Sequence, residues 1–504
     1  MNYLIGIDLG TSSTKTILFN ENGEIIKEKS YKYPMYNQKE LWAEQKTDDW
    51  YNAVIHTLKY VIKNSNVDTK DIKSIGISGQ MHGLVIVDDK GKSIRNSIIW
   101  CDGRTKKECK QINQLIGENQ MIKITGNPAL TGFTLSKILW IKENEPHNYH
   151  RIRKILLPKD YIRYRLTGEY FTDYSDASGT NLLDISNKVW SQEILSKFNI
   201  NKELLPTIKD SSEICGYITK DISLITGLEE GTPVVTGAAD NAAAAVGIGV
   251  INQGESFMTI GTSGVIFSPT NKPKVDKTGR IHTFISADKD KWANLSCTLS
   301  AAQSAKWFRE KILNNEDEEV NNLKNLENNI KNIPIGSNGI IFLPYLMGER
   351  SPILDEKARA CFIGLTNAHN YNDMYRSILE GVAYSQKQCL DIVNDMGIDF
   401  NNLRVGGGGT SSNVWLNMFS DVLNVKIETV ESTEIASLGA ALLAGVGAGV
   451  YRNIDEAVSK VVKYNNIINP NEINHNKYMK YYKIYNDLYG NLKLSFEQIH
   501  KLQD

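Results

Sequence analysis

The chain has 504 residues, 57 lysines and arginines against 58 aspartates and glutamates, a formal net charge of −1, and 41% hydrophobic residues. At roughly 100 to 200 residues per domain this length allows two or three domains with substantial cores, and the balanced charge argues against nucleic acid as the main partner. The longest apolar run, GAALLAGVGAGV at 439–450, is glycine-broken and shorter than the roughly 20 residues of a membrane span, and MNYLIGIDLG lacks the order of a signal peptide.

The first stretch, YLIGIDLGTSSTKTILFNENGEIIKEKSY, reads as three strands joined by tight turns: one apolar run ends at Asp8 and a second precedes the turn residues Asn22 and Gly23. Residues 48–63 carry a helical period through Trp50, Val54, Leu58 and Val61, and SIGIS at 74–78 returns to strand. Strands alternating with helices indicate an α/β architecture. FMTIGTSGVIFS at 257–268 repeats the strand, Gly-Thr-Ser turn and strand of the opening, which suggests two related halves with a boundary in GIGVINQGES at 247–256. The polar residues 314–338 read as a solvated helical excursion, and Tyr478, Tyr482, Tyr485 and Tyr489 form the packing stripe of a closing helix. The six cysteines, Cys101, Cys109, Cys215, Cys297, Cys361 and Cys389, form no CxxC pair and are expected as reduced thiols in a cytoplasmic protein.

The turn DLGTSSTK at 8–15 sets a carboxylate at a strand end beside a glycine, hydroxyl residues (Thr11 and Ser12 among them) and Lys15. Consecutive backbone N–H groups there can cradle phosphate oxygens while Asp8 holds Mg²⁺ through water, although an ordinary glycine hairpin with a capping Asp has the same local form. It is not a Walker A loop. The echo at Gly261 and Thr262 supplies donors from a second side. In LRVGGGGTSSNVWLNMFSDVL at 403–423 a strand leads into glycines, including Gly407 and Gly408, and then into a helix preceded by Thr410, Ser411 and Ser412. Glycines at a helix start let a nucleotide lie against the backbone, with Ser411 and Asn413 close by.

GAADNAAAAVG at 237–247 places Asp240 and Asn241 among small apolar residues, a costly place for a carboxylate without a partner or a use. Asp240 is either a helix N-cap or a general base for a substrate hydroxyl; a helix N-terminus would keep it ionised and weakly basic. GQMHG at 79–83 and WCDGR at 100–104 sit at strand ends, where α/β proteins place ligand contacts. Gln80, His82, Asp102 and Arg104 can hydrogen-bond hydroxyl groups and Trp100 can stack on a carbon face; His82 can equally be a structural histidine.

The ordered set DLGTSSTK, GQMHG, WCDGR, LPKDY (157–161), SDASGT (175–180), GAADN, IGTSG and VGGGG resembles the FGGY carbohydrate kinases, and within them the branch that phosphorylates D-xylulose. GFTLSKILWIKEN at 132–144 and the stretch from Ala360 through Phe362, Gly364 and Leu365 to Asp373 and SILE at 377–380 carry the family signatures, so the resemblance covers essentially the whole chain. It implies an actin-like, ribonuclease-H-like fold of two α/β domains, residues 1–250 and 251–504, each with a mixed sheet, a cleft between them, and a final helix at about 471–504 docked on the body. It implies ATP and Mg²⁺, with Asp8 near the metal and phosphates, Asp240 as catalytic base and second candidate for the metal, and Met81 and His82 on the ketose with help from Gln80, Trp100, Asp102 and Asn241. Thr11, Ser12, Lys15, Gly261, Thr262, Gly407, Gly408, Ser411 and Asn413 fall to ATP. Cys101 departs from the Asn usual in that branch, which bears on the choice among ketoses. Other acceptors in the family (L-xylulose, D-ribulose, a ketohexose, a polyol) are the nearest alternatives. A switch ATPase of the same fold is disfavoured by GQMHG, WCDGR and GAADN, which it has no use for. Dimerisation is common in the family, but no interface is legible here.

Overall fold

Three strands open the chain: β1 (Tyr3–Leu9), β2 (Ser13–Asn20) and β3 (Ile25–Lys32) pair antiparallel in sequence order. Helix α1 (Thr47–Asn64) follows, and its Trp50, Val54, Leu58 and Val61 are fully buried under this sheet. At about 1.5–3 kcal/mol per large apolar side chain, that stripe is what holds the helix down. The strand Ile72–Gly79 then adds parallel to β1, Pro233–Val235 and Ala238–Ala239 add parallel to it, and Ile214–Tyr217 closes the edge antiparallel. The result is a mixed seven-stranded sheet.

The computed structural model describes residues 1–313 and 323–502. Within them a second mixed seven-stranded sheet repeats the plan of the first. Ser256–Ile260 and Gly264–Thr270 form its hairpin, and Asn402–Gly406 and Lys426–Val430 add parallel to Ser256–Ile260 and to each other. The chain is therefore two α/β domains, each with a mixed sheet. Of the expected excursion at 314–338, residues 314–322 lie outside the described residues; Leu323–Ile330 is a helix that buries Leu326 and Ile330, so it is docked and not simply solvated. The closing helix runs Glu472–Lys501 and buries Tyr478 and Tyr485 in the second core, with Tyr482 and Tyr489 packed partly against it. No helix among the described residues is long and apolar enough to cross a membrane.

The helix Ile435–Gly447 follows a strand of the second sheet yet packs on β1 and Ile72–Gly79 of the first, and on the helix Asp240–Gly247. Its closest approach is backbone on backbone. A β-carbon on Gly439 would stand 1.8 Å from the Ala243 carbonyl oxygen, and one on Gly247 would stand 1.8 Å from that of Ile435. Only glycine permits two helices to touch in this way.

Candidate active site

Parallel pairing brings the first set of polar residues together. Asp8 and Ala238 both stand opposite Ser78, so β1, Ile72–Gly79 and Ala238–Ala239 end side by side. Asp240 is the next residue after the last of these strands and the first of its helix. Asp8 Oδ1 accepts a hydrogen bond from Ser78 Oγ at 3.1 Å. Asp240 Oδ1 accepts from the Asn241 N–H at 2.7 Å and from Asn241 Nδ2 at 2.9 Å. Asp240 is thus not the cap of its helix, a position held by Ala239.

The expectation that the helix start would keep Asp240 firmly ionised is corrected. Burial, and next to it the negative charge of Asp8, push its pKa up to about 7, against the lowering effect of the two hydrogen bonds from Asn241. Asp8 itself is pushed up by burial to about 6. Desolvation and like charge outweigh the helix end. Two half-buried carboxylates with a raised affinity for protons, near enough for the charge of Asp8 to raise Asp240, fit a hard divalent cation that would keep several waters.

Behind Asp240 lies a fully buried ionic cluster. The N–H of Ala239 donates to Ser175 Oγ at 2.9 Å, and Ser175 Oγ donates in turn to Asp173. Lys159 Nζ reaches Asp173 at 2.7 Å, Asp160 at 2.9 Å and Asp176 at 3.2 Å. This network fixes the backbone that delivers Asp240. LPKDY and SDASGT were legible as motifs, but not their meeting beneath the strand ends.

The turn between β1 and β2 shows its donors. Tyr33 and Gln80 donate to the Gly10 carbonyl, and Gln45 Nε2 donates to the Thr11 carbonyl at 2.7 Å. With carbonyls tied back, the N–H groups of Thr11 and Ser12 have no acceptor among the described residues. The turn in the second sheet matches it. The Gly10 N–H donates to Ser13 O at 3.0 Å, the Gly261 N–H donates to Ser263 O at 3.0 Å, and Thr262 N–H is again without a described acceptor. Because Thr259 stands opposite Gly406, the turn at 261–263 lies beside the glycine loop. Gly407 has φ +92°, a conformation that glycine alone takes without strain. A cavity of about 210 Å³ opens here, lined by Thr262, Gly408, Gly409, Ser411, Trp415 and Tyr375 among others. Asn413 starts the helix Asn413–Leu423, whose cap is Ser412, accepting from Trp415 N–H at 3.2 Å.

His82 lies in the left-handed region at φ +67° and is buried. Its ring stacks on Phe133 at 4.2 Å between centroids, and Nδ1 meets the Gly179 carbonyl at 2.6 Å. Burial lowers its pKa to about 3, so the ring is neutral; Nδ1 must then carry the proton that the carbonyl accepts, leaving Nε2 as an acceptor. Met81 is buried next to it against the Gly179 turn. The signature lysine, Lys137, is fully buried and donates to the carbonyls of His82 at 2.9 Å and Gly132 at 2.7 Å; burial brings its pKa down to about 7. Its position holds the His82 loop, a role that the sequence alone did not suggest. Trp100 Nε1 donates to Thr11 Oγ1 at 2.8 Å and links the two loops.

Four site expectations are corrected. Gln80 is buried, and its amide nitrogen donates to Gln45 Oε1 at 2.9 Å behind the first turn, so it shapes the turn and does not face the cleft. Asp102 is buried too: it accepts from the Ala43 N–H at 2.6 Å and pairs with Arg104 at 2.7 Å, leaving neither residue for a sugar. Lys15 pairs with Glu434 at 2.8 Å and Glu28 at 3.6 Å, which ties β2 to the start of the helix Ile435–Gly447 and leaves no free ammonium for phosphate.

The model of the FGGY family of carbohydrate kinases, N-terminal domain, matches residues 3–247, and that of its C-terminal domain matches residues 257–448. A xylulose kinase of Bacillus subtilis is 38% identical over 493 residues, 98% of either chain. The ligand-bound xylulose kinase of Lactobacillus acidophilus superposes with a TM-score of 0.93 at 26% identity, covering 99% of this chain and 100% of that one. A gluconate kinase of the same organism also superposes with a TM-score of 0.93 at 26% identity, covering 99% of each.

Proposed function

This chain belongs to the FGGY family of carbohydrate kinases, and we propose that it transfers the γ-phosphoryl group of ATP to the terminal hydroxyl of D-xylulose, giving ADP and D-xylulose 5-phosphate. One observation carries the reading: Asp8 and Asp240 emerge together at the ends of three parallel strands of the first domain, close enough that the charge of Asp8 helps raise the pKa of Asp240. A pair of this kind gives one carboxylate to the metal and phosphates and one to the hydroxyl.

In this reading the sugar lies on Met81, His82, Trp100 and Asn241, with His82 Nε2 accepting from a sugar hydroxyl. The terminal hydroxyl points at Asp240. A base with a pKa of about 7 is ionised in half or more of the molecules at neutral pH and is strong enough to take the proton as the O–P bond forms. The N–H groups of Thr11 and Ser12 from one side, and of Thr262 and Gly408 from the other, stabilise the charge on the transferring oxygens. The adenosine occupies the cavity beside Gly408 and Trp415. Mg²⁺, held by Asp8 through water with Asp240 nearby, would neutralise phosphate charge. Because the two sets of donors belong to different domains, divided near residue 250, closure of the cleft completes the site and excludes water.

A coupled assay of ADP release over a panel of ketoses, polyols and gluconate, with ATP and Mg²⁺, tests this. D-Xylulose should give the highest kcat/KM. A preference for gluconate or another acceptor would replace the substrate, and absence of stimulation by any of them would refute the sugar site.

A further inference from the structure

The segment around Arg350 is fixed to the second sheet on both sides. The buried Glu349 carboxylate accepts the N–H of Leu299 at 2.7 Å and of Arg350 itself at 2.9 Å. On the other side, the Ser351 N–H donates to Cys297 O at 3.0 Å, and Ser351 Oγ donates to Arg280 O at 2.6 Å. The half-buried guanidinium these bonds hold in place makes no hydrogen bond or ion pair with any described residue. A guanidinium offers five donors in a planar fork, and partial burial without an acceptor is costly.

Its location follows from geometry. Arg350 Nη2 lies 3.8 Å from where a β-carbon of Gly132 would stand, and the same point is 2.6 Å from the Trp100 carbonyl oxygen. Gly132 is the residue whose carbonyl Lys137 ties to that of His82. The electrostatics agree. The buried rings of His82 and His282 are both lowered further by the Arg350 charge, and the Cys297 thiol, raised mainly by burial, feels Arg350 on one side and Asp240 on another. Arg350 thus belongs to the second domain by its backbone and to the His82 pocket of the first domain by its side chain.

We propose that Arg350 is a substrate-binding residue that donates hydrogen bonds to the sugar's oxygen atoms at the end remote from the hydroxyl facing Asp240. The inference rests on the sugar-kinase reading above and deepens it. The fork suits a carbonyl with a neighbouring hydroxyl, as at the keto end of a ketose, and its spacing is one a single ammonium cannot reproduce. The domain that carries the nucleotide cavity thereby reads the sugar directly, so closure of the cleft is favoured by the acceptor and not by ATP alone.

The test is steady-state kinetics of wild type, Arg350→Gln and Arg350→Lys, with sugar and ATP varied separately and the thermal midpoint recorded for each. Truncation of a charged donor set is expected to raise KM for the sugar about 10- to 100-fold in the Gln variant, with KM for ATP within about twofold. The Lys variant should fall between. Sugar KM unchanged in both variants would overturn the proposal, as would a selective rise of KM for ATP, which would move Arg350 to the phosphates. If wild type prefers a sugar other than D-xylulose, the substrate assignment falls alone, and the same ratios measured with that sugar still decide Arg350. Should the Gln variant lose its thermal transition, the Lys variant, which keeps the charge and most of the volume, decides by the same ratios.

Discussion

Asp240→Asn separates catalysis from folding in opposite directions. The amide oxygen can still accept the two hydrogen bonds that Asn241 makes to Oδ1 at 2.7 and 2.9 Å, so the helix start keeps its geometry. What is lost is the base, and general-base removal lowers kcat by at least about 100-fold, or roughly 2.7 kcal/mol of barrier. What is gained is relief of a buried charge. The carboxyl pKa is raised from 3.8 to about 7, which sets an upper bound of about 4 kcal/mol of destabilisation at neutral pH. Asp240 is partly accessible, so the measured effect lies below this bound. The sign follows from proton binding. Between the unfolded and folded pKa values the native state binds more protons than the unfolded one, so the wild type loses stability as pH rises through this window. The variant's advantage is therefore complete above about pH 7 and vanishes below about pH 4. At about 2–4 °C per kcal/mol, the variant should melt a few degrees above wild type at pH 7.5 and level with it near pH 4.5. Coupled turnover and calorimetric melting at the two pH values measure both effects. A kcat within tenfold of wild type would refute the base, and a lower melting point at pH 7.5 would refute the electrostatic reasoning.

For Asp8→Ala, the Mg²⁺ titration of activity should shift to higher concentration with kcat reduced, and an unchanged titration at normal rate would exclude the metal role. His82 has a folded pKa of about 3 against 6.5; burial in neutral form costs nothing above pH 6.5 and withdraws about 1.4 kcal/mol per pH unit as pH falls below it. Urea unfolding should therefore show His82→Asn losing about 2 kcal/mol less than wild type between pH 7.5 and 5.0, and equal losses would contradict a buried neutral ring. Gly439→Ala places a methyl group 1.8 Å from the Ala243 carbonyl; overpacking of this kind costs about 1–3 kcal/mol and should lower the melting point, and an unchanged one would deny the close helix contact.

Much of the site was legible because its parts are local. A carboxylate that ends an apolar run, a glycine turn with hydroxyl residues, and a strand entering a glycine loop each declare themselves within about ten residues, and the echo of Gly10 in Gly261 could be read by eye. The helix at 47–64 was legible because Trp50, Val54, Leu58 and Val61 keep one face buried over its length. Residues whose partners are remote in sequence were not legible. Gln80 and Asp102 have side chains suited to a sugar, but their acceptors and donors, Gln45 and Ala43, come from a segment with no motif of its own. Lys15 looked like a phosphate ligand until Glu434 came to meet it across more than four hundred residues of sequence. Lys137 stood inside a signature stretch whose local sequence gave it no role, and Arg350 carried no local signal; the meaning of both lies in what the fold sets beside them.

The helix that begins with Asp240 continues as Asn241, four alanines, a valine and a glycine. Alanine and glycine have no side-chain torsions to freeze, so this helix's own share of the contact with Ile435–Gly447 costs little rotamer entropy. A joint made of meshed leucines would resist sliding, since each knob must leave its hole. One built on glycine and alanine instead brings the two backbones close together, with the larger side chains Val246, Leu438 and Leu442 packed around the contact. The carboxylate at the head of that helix is therefore seated between a close backbone contact on one side and the buried ionic cluster on the other.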